Sequence, residues 1–232
     1  MNISICIPCV DKHIPLLCNF LKTITYFTRK PDEIIISLSP KFDKLDLNNI
    51  KNTLEKNYLC YNLKCLVQNK QTNCATNLNK CFDIVTGDII IISGADDIIH
   101  PQKLEIIEYL FNKYPETTMI LHNLINSNNR DYSLKIFDKY DINDLNIYSD
   151  LISCKPFGLL SKKFQLDTNS EFGPNYVCGA PTIKKKILNN IKFKDVDYGE
   201  DAHFITDIHN YYKSTIYIPF KLMSYTPSGS FK

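Results

Sequence analysis

The chain has 232 residues, 44% of them hydrophobic, with Lys+Arg 27 against Asp+Glu 25 and a formal net charge of +2. That balance leaves no broad positive field for a phosphate backbone, and arginine, at Arg29 and Arg130 alone, offers few forks for reading bases, so nucleic acid is excluded as a partner. No run approaches the roughly 20 apolar residues of a membrane span, and MNISICIPCVDKH at the N-terminus lacks the basic-then-apolar order of an export signal. With that reading, an odd number of scattered cysteines, nine, predicts a reduced, cytoplasmic-type protein.

In chain order, Ile3 to Pro8 (ISICIP) reads as a buried strand, followed by Ile14, Leu17, Cys18, Leu21 and Ile24 at helical spacing. A second strand is expected at Glu33 to Leu38, a polar-faced helix at 45–57, and a third strand at Asn62 to Val67. A helix at 73–85 leads to a fourth strand, Asp88 to Ser93. Pro101 opens a further helix over 101–114, since a proline loses no hydrogen bond at a helix start, and Thr117 to Asn123 is a fifth strand. Continuous apolar strands separated by helices imply a mostly parallel sheet covered on both faces, an α/β doubly wound fold. The stretch 126–173 is rich in Asp, Asn, Ser, Tyr and Lys, with strand-like pieces at SLKIFD (133–138) and FGLLS (157–161). Helices are then expected at 180–191 and 199–212 and a strand at 214–220; Lys184-Lys185-Lys186 reads as a solvated face. One domain is expected in two unequal parts, 1–124 holding the ligand and 125–232 completing the sheet and covering the site.

Two acidic features carry chemistry. After four isoleucines the chain reads Ser-Gly-Ala-Asp-Asp, placing Asp96 and Asp97 at the carboxyl end of a strand, where open parallel sheets bind ligands. Gly94 and Ala95 leave room for close approach. Two carboxylates on a tight loop suit Mg²⁺ or Mn²⁺ shared with a substrate's phosphates, although an Asp there also serves as a turn or helix cap. The second feature is Glu200-Asp201 in YGEDAHF, at an expected helix start; such carboxylates favour the helix dipole or act as a general base toward a hydroxyl. A metal half-site and a base together suit group transfer from a diphosphate leaving group.

In order and spacing these pieces resemble glycosyltransferase family 2 on the GT-A fold, over about Ile3 to Ser230. The resemblance rests on ISICIPCVD with Pro8 and Asp11, ATNLN with Asn77, GDIIIISGADDIIHPQKL, CGAPTIKKKIL and GEDAHF. It implies an irregular C-terminal half facing the acceptor, and transfer of a sugar from a nucleotide-sugar donor to a glycan, lipid or protein hydroxyl by in-line displacement with inversion. It further implies donor binding by Pro8, Asp11, Ser37, Ser39, Asn77, Gly94, Ala95 and Asp96. The metal, Mn²⁺ or Mg²⁺, would sit on Asp96 supported by Asp97, the acceptor on Gly179, Ala180 and Glu200, and Asp201 would be the base with Glu200 orienting. The chain departs from the family in three places: Gly94 stands at the first Asp of Asp-x-Asp, SLSP (37–40) replaces an acidic segment, and SYTPSGS (224–230) has no histidine, for which His203 or His209 could substitute. Alternatives remain: a binding module of the same fold without turnover, a sugar-1-phosphate nucleotidyltransferase (which wants glycines after the first strand), a CIPC redox pair, and zinc at Cys60 and Cys65.

Overall fold

The computed structural model describes residues 1–41, 45–126, 134–153, 159–161, 176–177, 181–196 and 199–225. The chain runs β1 (Ile3–Val10), α1 (Ile14–Thr23), β2 (Glu33–Ser39), α2 (Leu47–Asn57), β3 (Leu63–Val67), α3 (Cys74–Ile84), β4 (Ile89–Ile92), β5 (Ile98–Ile99), α4 (Lys103–Lys113) and β6 (Met119–Asn126). It continues through β7 (Leu151–Ser153), β8 (Leu159–Ser161), β9 (Tyr176–Val177), β10 (Thr182–Lys184), α5 (Glu200–Tyr212) and β11 (Thr215–Tyr225). The main sheet has the order β3-β2-β1-β4-β10-β6-β11-β5, and β7-β8-β9 form a small second sheet. All main-sheet strands run the same way except β10 and β5, which are antiparallel to their neighbours.

Side-chain alternation explains why the strands read as unbroken apolar runs. Ile89 and Ile91 enter one buried cluster with Ile5, Ile7, Ile34, Ile36 and the apolar faces of α1, α2 and α4. Ile90 and Ile92 enter the opposite cluster with Cys6, Ile35 and residues of α3 and α5. Helices therefore lie on both faces, and the doubly wound α/β architecture is the one expected. Pro8 fits inside β1 because Cys6, two residues earlier, already faces β4 with its carbonyl, accepting from Ser93 N–H at the strand's end. β4 has ended by the level of Pro8, so the missing N–H breaks no ladder bond.

Three expectations change. Residues 182–184 form a strand between β4 and β6 and 185–189 a 3₁₀ helix, where periodicity predicts one helix. Ile183, Ile187 and Ile191 do share one cluster, but the backbone gap between β4 and β6 needs a ladder partner, and the β-branched pair Thr182-Ile183 supplies it. Within SLKIFD, Leu134–Ile136 is a 3₁₀ turn. The helix expected from Pro101 begins at Lys103, because the His100 ring accepts Gln102 N–H (2.9 Å) and closes a turn first. The CIPC pair is inert: Cys6 and Cys9 point to opposite faces of the sheet, nearly or wholly buried, and burial pushes both thiols up rather than down. Cys60 is exposed and Cys65 buried, so they do not form a zinc pair. Among the described residues, no helix is long and apolar enough to cross a membrane.

At the opposite end of the sheet from the acidic loop, Glu33 is 2% exposed and accepts from Ser4 Oγ (2.7 Å), Lys64 Nζ (2.7 Å), Thr86 N–H (2.9 Å) and Thr86 Oγ1 (2.9 Å). Burial alone would raise its pKa, but the hydrogen bonds from Lys64, Ser4 and Thr86 outweigh it and hold the group down at about 2. A depressed carboxylate contributes stability above its unfolded pKa and loses it as pH falls toward the folded value. Glu33→Gln is therefore expected to cost about 2 kcal/mol at pH 7, a figure discounted because the Lys64 side chain is partly exposed. Urea melts should show that deficit shrinking between pH of about 4.5 and 2; an undiminished deficit at the acid end would contradict it.

Candidate active site

β4 ends at Ile92, and the next five residues form a tight loop before β5. Asp97 turns its side chain back over that loop: Oδ2 accepts the Gly94 N–H at 2.7 Å. Residue 94 must be small for this to happen. A Cβ there would lie 2.9 Å from Asp97 Oδ2 and 3.0 Å from Asp96 Oδ1. The space that a side chain would fill at position 94 is thus flanked by two carboxylate oxygens, and the sequence departure at Gly94 and the placement of Asp96 and Asp97 are one feature. Ala95 is buried beneath the turn, Asp96 is half-buried, and Asp97 is 7% exposed. Burial first and the Asp96 charge second push the Asp97 carboxyl up to about 7, against the Gly94 N–H and the Lys103 ammonium, which favour its charged form.

The second acidic pair opens α5. Gly199 precedes it with φ 68°, a left-handed conformation that glycine adopts without strain, and this aims Glu200 and Asp201 off the first helical turn. Asp201 Oδ1 accepts Ala202 N–H (2.7 Å). Burial raises the Glu200 pKa, with Asp201 adding, while a hydrogen bond from the Cys74 thiol pulls it down. Cys74 stands at the start of α3. Its thiol is pushed up by burial first and by the charges of Glu200, Asp201 and Asp97 after it. Across β1, burial and then Asp96 raise the Cys9 thiol, with Asp11 contributing. Sequence reasoning missed Cys74 because a lone cysteine in a helical pattern reads as packing.

The other expected ligand-binding residues sit along the same strand ends. Asp11 follows β1, is 3% exposed, and accepts the N–H groups of Lys12 (2.7 Å) and Lys41 (3.1 Å), tying the ends of β1 and β2 together. Ser37, Ser39 and Asn77 form a brace. Ser37 Oγ donates to Asn77 Oδ1 (2.8 Å) and accepts from Gln68 Nε2 (3.1 Å), while Ser39 Oγ accepts Thr72 N–H (2.8 Å). Thr72 Oγ1 also donates to Asn77 Oδ1 (2.9 Å). These side chains hold the segment between β3 and α3. Gly179 and Ala180 lie outside the described residues. His209 is 7% exposed and lies eight residues along α5 from Asp201, an axial rise of about 12 Å from that residue. Among the described residues, no three His, Cys, Asp or Glu side chains cluster so as to hold a metal ion; Asp96 and Asp97 offer two oxygens.

The family described as Glycosyl transferase family 2 matches residues 4–164, more than half of the chain. The chain belongs to that family. No curated protein sequence matches it. Among solved structures, this family 2 chain is similar to S. aureus TarS 1–349 in complex with UDP (TM-score 0.67, 14% identity, 98% of this chain and 61% of that one). It is also similar to the same TarS fragment in complex with UDP-GlcNAc (0.65, 15%, 99% and 60%). A third similar structure is the mannosyltransferase PcManGT from Pyrobaculum calidifontis in complex with GDP-Man and Mn²⁺ (0.65, 15%, 99% and 58%). At such identities the likeness shows the fold, which is GT-A, and the chain spans about three fifths of those structures.

Because a methyl group at position 94 would displace the Asp97 carboxylate from the Gly94 N–H, Gly94→Ala is expected to lose about 1–2 kcal/mol in chemical denaturation. A variant as stable as the parent would mean that the bond does not hold the loop.

Proposed function

We propose that the chain is a glycosyltransferase that moves a sugar from a nucleoside-diphosphate sugar to a hydroxyl acceptor with inversion, assisted by Mn²⁺ or Mg²⁺. The observation that carries this reading is the loop after β4 in a family 2 chain, where Asp96 Oδ1 and Asp97 Oδ2 flank the space that Gly94 leaves open. Bound UDP, UDP-GlcNAc and GDP-Man with Mn²⁺ in the similar structures support the donor class.

Asp96 Oδ1 and Asp97 Oδ2 fit a hard divalent ion as a half-site: both approach the space above Gly94, and their mutual repulsion is what a cation would relieve. A divalent ion bound there would supply positive charge against the charge that gathers on the departing nucleoside diphosphate. Asp201 is assigned the role of base, taking the acceptor's proton as the acceptor oxygen bonds to the anomeric carbon and the bond to the diphosphate breaks. Glu200, beside it on the first turn of α5, is assigned the role of orienting the acceptor. The Ser37–Asn77 brace shapes the wall beside the nucleotide, and Asp11 fixes the β1 end against it. The acceptor, whether glycan, lipid or protein, meets the chain on the 125–232 side, and the 1–124 half holds the donor.

Two outcomes are expected. In a thermal-shift screen, UDP or GDP and their sugars should raise the melting temperature in proportion to the logarithm of concentration, more so with Mn²⁺. Asp201→Asn should lower transfer by about 10²–10⁴-fold while leaving nucleoside diphosphate binding intact. Donor binding by the parent chain with no turnover on any donor would instead favour the binding module, the reading that Gly94 at the first Asp of Asp-x-Asp motivates.

A further inference from the structure

The segment that leads toward α5, residues 191–196, has no regular secondary structure; Ile191 and Phe193 are buried in it, while Lys192 and Lys194 are exposed. Peptide groups in such a segment have no ladder to join and still need partners. Asn79 of α3 supplies them: its Nδ2 donates to Phe193 O at 2.9 Å, and its Oδ1 accepts Phe193 N–H at 3.0 Å. A carboxamide carries a donor and an acceptor in one plane, as a peptide group does, so it grips this residue as a neighbouring strand would.

The gripped residue meets α5 through its ring. Phe193 stacks on Phe204 with centroids 4.0 Å apart and planes 14° from parallel, and Phe82 of α3 lies 5.9 Å from Phe193 and 6.1 Å from Phe204. All three rings are buried, so a shift of Phe193 must displace close-packed neighbours. Phe204 stands three residues after Asp201 and four after Glu200, the spacing that makes side chains neighbours on adjoining turns. Other ties join the same elements: Lys192 Nζ to Asp83 Oδ1 (2.6 Å), Lys194 Nζ to Asp207 Oδ2 (2.7 Å), and Asn73 Nδ2 to Asp195 Oδ1. Those pairs are exposed to water, where each contributes little. The half-buried, two-bonded Asn79 is the tie that decides the placement.

Another side of α3 meets the wall assigned to the donor. Asn77, two residues earlier, accepts from Ser37 Oγ (2.8 Å) and Thr72 Oγ1 (2.9 Å). Two residues advance about 200° around a helix, so the two asparagines grip structures on opposite sides of α3. We propose that Asn79 is a positioning residue for the transfer reaction: with Asn77 it makes α3 a spacer that holds Asp201 at a fixed distance from the donor. The inference rests on the reading of Asp201 as the base. Loosening the Asn79 clamp moves the base and leaves the donor wall where it was, so the rate of the chemical step falls while donor binding is kept. A side chain that served stability alone would not separate the two.

The test uses the full chain with two variants: Asn79→Ala removes both bonds to Phe193, and Phe193→Leu keeps those bonds but removes the ring. Release of UDP from UDP-GlcNAc, or of GDP from GDP-Man, is followed with Mn²⁺ and free monosaccharides as hydroxyl acceptors. Each variant is expected to lower kcat by about 10- to 100-fold, the scale of a misplacement of about 1 Å, with donor KM within about twofold of the parent. In the Asp201→Asn background the same substitutions should cost nothing further, because they act through a carboxylate already removed. Amide hydrogen exchange gives a readout independent of turnover: residues 200–205 should exchange faster in both variants, and residues 72–78 should not. An unchanged kcat, equal losses in both backgrounds, a donor KM that rises with the loss, unchanged exchange at 200–205, or failure of both variants to fold would overturn the proposal. If the parent releases nucleoside diphosphate from neither donor, the transferase reading fails by itself. Exchange at 200–205 then decides the clamp, faster exchange upholding Asn79 as the residue that places α5 and no change ending it.

Discussion

β4 has no solvent face: Ile89 and Ile91 pack into one cluster and Ile90 and Ile92 into the other. A strand buried on both sides can carry charge only after it leaves the sheet, so the carboxylates gather in the first turn beyond Ile92. The same constraint fixes their direction, because the parallel register with β1 places that turn level with Cys9 and Asp11. From there α3 and α5, both packed on the second face, carry Cys74 and Glu200-Asp201 to the same edge. The site is a consequence of where buried strands run out.

Like charges at that edge raise the energy of the unliganded protein. Asp97 is held by one backbone N–H and pushed toward neutrality by burial and by Asp96, and Glu200 is likewise raised by burial and by Asp201. Glu33, at the far end of β2, shows the contrast: equally buried, it is met by Ser4, Lys64 and Thr86 and held near 2. One end of the sheet therefore meets its buried carboxylate with four hydrogen bonds, while the other sets two pairs of neighbouring carboxylates together, and perturbed carboxyls of that kind gather at functional sites.

Residues of strong period were legible before any coordinates: β1 to β4, β6 and α5 fall within a few positions of the readings from apolar spacing, while the two-residue β5 was not foreseen. The failures have physical causes. Residues 182–189 carry apolar side chains at helical spacing, but their conformation is decided by a ladder vacancy between two distant strands, which no local pattern encodes. Gly94 read as a lost carboxylate, whereas its lack of a side chain is what admits the Asp97 carboxylate to that position.

The position of β10 has a consequence for how the chain is made. Thr182–Lys184 fills the slot between β4 and β6, so everything through residue 126 leaves the ribosome with two long inner edges bare. Such an unfinished sheet presents unpaired amides and isoleucine faces to any neighbouring nascent chain, and its closure waits on contacts of high sequence separation. Fragments cut before this strand inherit that vulnerability permanently, because the wedge that seals the centre is encoded near the end.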